Sequence, residues 1–570
     1  MARTVDSKKI ILIAIILLVG IPAVIPPFFL IWDSFKPVST GNLFDPSLAN
    51  FTLQNFVRAY SDPGFIISLG HSLFFAFGSM AVAFVFGGSI AFLVERTNAP
   101  LRNVTYGLMF VPIIMPGILT AISWTLLINP KTGILNMAWY ALGFTEPLFN
   151  AYSVPAMFWV QGLQEAPLTF LLLGAALRAM DPSLEEAAYI SGAGKISTMF
   201  RITLRLLTPA LAGIAILQFV RGLEAFEIPF IMGFKAGIHV FSTNIYYYIR
   251  ESYPPDYGLG FAFSMTLVVL CVAGLLLYRK VISGSERYAT VTGKGYRPRI
   301  INLGRLRPVA GAFVVIFVVV TMVLPFLALL WSSFLPFYQV PSKEAIATMS
   351  WSNYADIFTR QDFLPMLKNT LTMALIVSIG SMVISTLISW TVIKLKPRGS
   401  KILDIIVFLP YAIPAVAIGL AYMIFFLSFP NPIYDTLWII VFAYLITFLP
   451  TGTRFTHAGF AQLRSELEEA ATSAGAGILT VLRRVTLPLI LPSLIAGTLY
   501  IFLLSLRVMS IAALLYTPKS MVLPIYMFQL WTNGNVPAVG AMAVTMIIFS
   551  SMVTILTRKL SQRRYVMAEQ

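Results

Sequence analysis

Apolar runs recur along this chain, each near the length of about 20 residues that a helix needs to cross a bilayer. Twelve can be placed. They lie near 10–32, 67–94, 103–127, 152–177, 206–231 and 258–280, then near 308–333, 370–394, 402–428, 435–459, 489–515 and 537–557. Short polar stretches separate them. The pattern predicts an all-α polytopic membrane protein of about 12 transmembrane helices. Pro112 and Pro116 fall inside the third run. Proline is tolerated in a span where neighbouring helices re-satisfy the freed backbone, so this run is read as one helix. The first run is too long for a signal-peptide core and is read as a retained span.

Two of the polar stretches are copies of each other. The first contains Glu185-Glu186-Ala187-Ala188 and Gly192, and ends at Ile202-Thr203-Leu204. The second contains Glu468-Glu469-Ala470-Ala471 and Gly475, and ends at Val485-Thr486-Leu487-Pro488. Equivalent positions are 283 apart, including Pro209 and Pro492. This is an internal repeat. Each copy reads as two short helices with a bend. Asp181-Pro182 starts the first copy, an N-cap acceptor before proline at the first helical position. Ser465 with Glu468 is a capping-box pattern. Gly192 and Gly475 are placed to stop the first helix, where the chain needs a positive φ. Nearer the N-terminus of each half, Asn55 matches Asn353, and Pro112 and Pro116 match Pro410 and Pro414, at an offset of 298. The change of offset means that the first half carries fifteen extra residues, around Asn129–Asn150.

The repeated stretch resembles the EAA loop of ABC importer permeases, E-A-A-x3-G-x9-I-x-L-P. The second copy departs from it at Val485 and the first at Arg205. Two copies in one chain resemble the fused permeases of the iron(III)-type group, related to polyamine, thiamine and phosphonate permeases. The resemblance implies the type I importer permease fold, two parallel six-helix repeats. It implies that Glu185, Glu186, Ala187, Ala188 and Gly192, with Glu468, Glu469, Ala470, Ala471 and Gly475, couple the chain to two copies of an ABC ATPase subunit. Mg·ATP would be bound there, not on this chain, and an extracytoplasmic solute-binding protein would deliver the cargo. The expected domains are residues 1–280 (loop near 181–209), a basic cytoplasmic linker at 281–306, and residues 307–570 (loop near 464–492).

Composition narrows the class further. The chain is 58% hydrophobic and 11% charged, against roughly 25% charged in soluble proteins. Its net charge of +16 could suggest nucleic acid. Lys and Arg cluster in alternate loops, however, as the positive-inside rule expects. Lys8, Arg96, Arg102, Arg201, Lys394 and Lys401 belong to one set. Both termini and both EAA-like loops are therefore expected in the cytoplasm, with the chain in the cell's inner membrane and no nucleic-acid partner. One cysteine and three scattered histidines predict no disulfide and no metal site. Gly192-Ala193-Gly194-Lys195 lacks the spacing of a phosphate-binding P-loop, so no cofactor and no enzymatic activity are expected of this chain.

Intramembrane charges are costly, and they are usually functional or paired inside the bundle. Glu165 lies in the fourth run, Arg221, Glu224 and Glu227 at the end of the fifth, and Arg507 in the eleventh. These are the candidates for a translocation path or gate. Glu224 corresponds to Arg507 at the 283 offset, so the two can face each other across the axis between the halves. Arg221 and Glu224 can equally well pair along one helix. The rival to an ATP-driven permease is a carrier driven by an ion gradient, with these carboxylates as ion-coupling sites. Iron(III) is the first substrate expectation, and thiamine, phosphonate, polyamine or a small organic anion are alternatives.

Overall fold

The computed structural model describes residues 7–37, 51–180, 183–285, 300–429 and 431–568. The Asp181-Pro182 helix start and most of the expected linker lie outside them. The described residues are helical almost throughout, with one isolated bridge between Thr97 and Ile301. Among the described residues, ten helices are long and apolar enough to cross a membrane: Lys8–Ser34, Pro63–Arg96, Val154–Ala179, Met199–Glu224, Tyr257–Ile282, Gly304–Ser333, Phe363–Leu395, Trp438–Ala461, Ile478–Arg507 and Val536–Thr554. These account for ten of the twelve apolar runs. The other two are the third run of each half, and both are broken.

The first broken run forms Arg102–Ile114 and then Gly117–Ile128. The second forms Ser400–Ala412 and Ala415–Leu427, bent by 107°. Proline causes both breaks. Its ring disfavours helical geometry in the preceding residue, and Met115 (ψ 126°) and Ile413 (ψ 122°) are extended before Pro116 and Pro414. Apolar composition alone did not reveal this. All twelve residues of Gly117–Ile128 are buried.

The fifth span of each half also differs from its predicted limits. It starts early, at Met199 and at Ile478, because the second piece of the EAA-like stretch runs straight into it. It ends at Glu224 and Arg507, where Ala225 (ψ 134°) and Val508 (ψ 124°) break the helix at the same repeat position.

The halves exchange their first spans. Lys8–Ser34 packs on the broken third run of the second half, and Leu324–Ser333, the outer part of span seven, packs on Gly117–Ile128 of the first. Tyrosines bind this exchange. Pro26 has no N–H to give the carbonyl of Pro22, and the Tyr422 hydroxyl donates to it at 2.8 Å. Pro130 likewise leaves the carbonyl of Leu126 without a helical donor, and the Tyr338 hydroxyl shares its proton between that carbonyl (3.1 Å) and Thr132 O (3.0 Å). The fifteen extra residues fold around Asn136. Its side-chain amide donates to Asn129 O (2.9 Å) and Phe149 O (2.8 Å) and accepts from Phe149 N (3.0 Å).

Candidate functional site

The two EAA-like stretches fold alike. Helices Ser183–Ile190 and Ser465–Ser473 each end on a glycine with positive φ, +83° at Gly192 and +85° at Gly475. Beyond each glycine the chain turns back in the same way. Ala193 N donates to Ala188 O at 2.9 Å, and Ala476 N to Ala471 O at 3.1 Å. These 6→1 bonds satisfy carbonyls that the helix end leaves open. A Cβ on either glycine would meet nothing within 4 Å, so the backbone angle alone selects glycine.

The candidate coupling residues divide by exposure. Glu186, Glu469, Ala187 and Ala470 face solvent. So do apolar side chains that a lone surface helix would not favour. Ile190 is 87% exposed, and Leu184 and Leu467, equivalent in the repeat, are 50% and 52% exposed. Glu185 and Glu468 turn inward instead. Glu185 receives both Nη atoms of Arg96, at 3.2 and 3.3 Å, and the Thr203 hydroxyl at 2.5 Å. Glu468 pairs with Lys394 at 2.7 Å and accepts from Thr486 at 2.8 Å. Both oxygens of Glu468 are thereby engaged, and the helix opens at Ser465 with Arg464 ahead of it, not with Ser465 as its cap. Arg96 and Lys394 end the second span of their halves at the 298 offset, and Thr203 and Thr486 sit at the 283 offset. Sequence reasoning missed all four, although their shared offsets were a usable signal.

The five intramembrane candidates gather where the fifth spans of the two halves approach each other. Arg221 makes a two-pronged pair with Glu165, Nε to Oε2 at 2.8 Å and Nη2 to Oε1 at 2.9 Å. Gln218, one turn away, donates to Thr169 at 2.8 Å. The Arg221 side chain stays 38% accessible while Glu165 is 11% accessible. Glu224 makes no ion pair within 4 Å among the described residues, and Arg221 feels it only at longer range. Arg507 lies in the electrostatic reach of Glu227 and Glu165.

Glu227 joins the halves. It accepts from Met509 N at 3.2 Å, with the Ser510 hydroxyl beside it. Glu227 and Ser510 are equivalent positions at the 283 offset, and equivalent positions touch only near a pseudo-two-fold axis. The same carboxylate lies against the first residue of Gly117–Ile128, where a Cβ on Gly117 would fall 2.8 Å from its Oε2. A helix N-terminus favours a negative charge there. Among the described residues no group of three or more His, Cys, Asp or Glu side chains could hold a metal ion.

A family model described as the binding-protein-dependent transport system inner membrane component matches residues 83–284 and again 381–565. A candidate ferric transport system permease of Haemophilus influenzae is 28% identical over 481 residues, 84% of this chain and 74% of that protein. A ferric transport system permease of Actinobacillus pleuropneumoniae is 27% identical over 493 residues, 85% of this chain and 70% of that protein. Among solved structures, a chain of a bacterial alginate ABC transporter, in complex with a pentasaccharide-bound periplasmic protein, is 20% identical. It covers 43% of this chain and 85% of that chain, with a TM-score of 0.35.

Proposed function

Because the chain belongs to the binding-protein-dependent transport system inner membrane components, we propose that its two halves together form the membrane path of an iron(III) importer. Relatives named for ferric transport align over most of the chain, which favours iron among the candidate cargoes. The ATPase is a separate subunit, present as two copies, one under each of the matched helices ending at Gly192 and Gly475. A solute-binding protein presents the cargo on the opposite face. The Lys and Arg distribution supports a cytoplasmic location for both termini and both docking helices, in the inner membrane.

The observation that carries this reading is the paired docking helices. Each has the same left-handed cap and the same exposed leucine, Leu184 or Leu467. Two identical sockets of an ATPase homodimer suit two such surfaces. Transport then follows from a population shift. ATP favours the state in which its subunits close on each other, and this draws the docking helices with it. The Glu227 contact with Met509 lies between the halves, so it must open for cargo to pass. The Glu165–Arg221 pair lines the route on one side.

The test is uptake of labelled iron(III) into proteoliposomes containing this chain, its co-purified ATPase subunit and the binding protein. Uptake should require ATP and persist without an ion gradient. Gradient-driven uptake without ATP would overturn the importer reading. ATP-dependent uptake of another solute, with iron(III) excluded, would overturn the substrate alone.

A further inference from the structure

We propose that Glu185 and Glu468 are positioning residues which latch each docking helix to the end of the second span in its own half, and that these latches transmit the ATPase stroke. The proposal rests on the docking reading of the two EAA-like helices. The glutamate that matches the loop pattern, Glu186 or Glu469, faces solvent. Its predecessor does not, and it has the same two kinds of partner in both halves. One is a cation that ends the second span, Arg96 or Lys394. The other is a threonine where the chain re-enters the fifth span, Thr203 or Thr486. A short helix on a bent loop would otherwise pivot about its glycine cap. Three tethered points fix it as a lever on two spans at once.

The two latches differ in geometry and burial. Arg96 is 2% accessible and grips both oxygens of Glu185, with Met180 Sδ beside it. Lys394 is 16% accessible and makes one contact with Glu468, itself 19% accessible. The Arg96 fork, at 3.2 and 3.3 Å, holds the carboxylate by two contacts in a fixed plane, whereas Lys394 makes one contact at 2.7 Å on a flexible stem, so the first latch is the more rigid. The first latch also has a strap. Ile301 N donates to Arg96 O at 2.8 Å, Leu303 N donates to Asn98 Oδ1 at 2.9 Å, and Ile301 lines the small cavity around Arg96, Glu185 and Thr203. The entry to the second half is thus fastened to the latch of the first. Loss of the first latch should therefore be the more damaging.

The experiment uses the full chain with its ATPase subunit, and it counts solute moved per ATP hydrolysed for E185Q and E468Q. The ATPase subunit should still co-purify with both variants. Solute per ATP should fall by about tenfold in E185Q and by less in E468Q, within the usual range of coupling between sites. The reversal R96E/E185R should recover part of the solute-per-ATP ratio that R96E alone loses, which ties the loss to this pair. An unchanged ratio in both variants overturns the proposal. So does loss of the ATPase subunit, because the residues would then serve docking or folding. I190D combined with L467D tests the docking reading separately. If the subunit stays bound in that variant, the docking surface is misassigned, whatever the latch variants do.

Discussion

At the scale of single residues, the charges inside the bundle show how the choice of partner sets a role. Arg221 has a carboxylate three positions along its own helix, yet its guanidinium meets Glu165 on the fourth span in fork geometry. Removing one member of a buried ion pair costs about 3–5 kcal/mol, because the remaining charge is left unpaired. Arg221 keeps 38% of its side chain accessible, which lowers that cost to about 1.5–3 kcal/mol, the scale of a hydrogen bond to a charged group. E165Q is expected to lower the thermal stability of the purified chain modestly and to cut transport strongly. The swap E165R/R221E should restore part of both, measured by melting in detergent and by uptake. Failure of the swap, with E165Q behaving as wild type, would remove the pair from any role in the path. Charge reversal at Glu224 and Arg507, the pairing suggested by repeat symmetry, should show no such mutual rescue.

At the scale of elements, the glycine caps and the broken third spans differ in how much the sequence disclosed. The caps were readable because a helix end that needs positive φ has few solutions, and Gly192 and Gly475 occupy the same repeat position. Open space around each glycine means that G192A or G475A acts through the backbone alone, at about 1–2 kcal/mol for a left-handed residue with a Cβ. If these helices dock an ATPase subunit as proposed, each variant should reorient its helix and weaken retention of that subunit, checked by co-purification. Wild-type retention in the double variant would show that the cap geometry is dispensable. The third spans were less readable. Pro116 and Pro414 were visible, but a proline in an apolar run fits a kinked span and a broken one equally well. The outcome depends on burial of the exposed backbone, and only the fold supplies that. The latch residues lie between these cases. Arg96 and Lys394 share an offset, but a cation at a span end is so common that its partner could be recognised only in three dimensions.

At the scale of the whole molecule, the boundary between repeats in the sequence is not a boundary in space. The first span of each half packs on the third run of the other, and Tyr422 and Tyr338 supply the donors that Pro26 and Pro130 withhold. Aromatic contacts add to this across the outer region, where the Phe230 and Phe528 rings lie 4.6 Å apart and the Arg250 guanidinium sits 5.1 Å from the centre of the Tyr516 ring. The halves are thus held by exchanged helices as well as by the peptide link between them. A protease site inserted within 286–299 should accordingly give two fragments that co-elute after cleavage and still move solute. Separation of the fragments in mild detergent would show that the exchanged spans bind too weakly to hold the path together. Y422F and Y338F, each leaving one helix carbonyl without its donor, should loosen the cleaved complex by about 1–3 kcal/mol apiece, the cost of an unsatisfied buried acceptor. The effect should be far smaller in the uncut chain, where the link holds the halves at high effective concentration. That contrast between cut and uncut chains, read from the denaturant needed to part the halves, separates a role in holding them together from a role in folding either one.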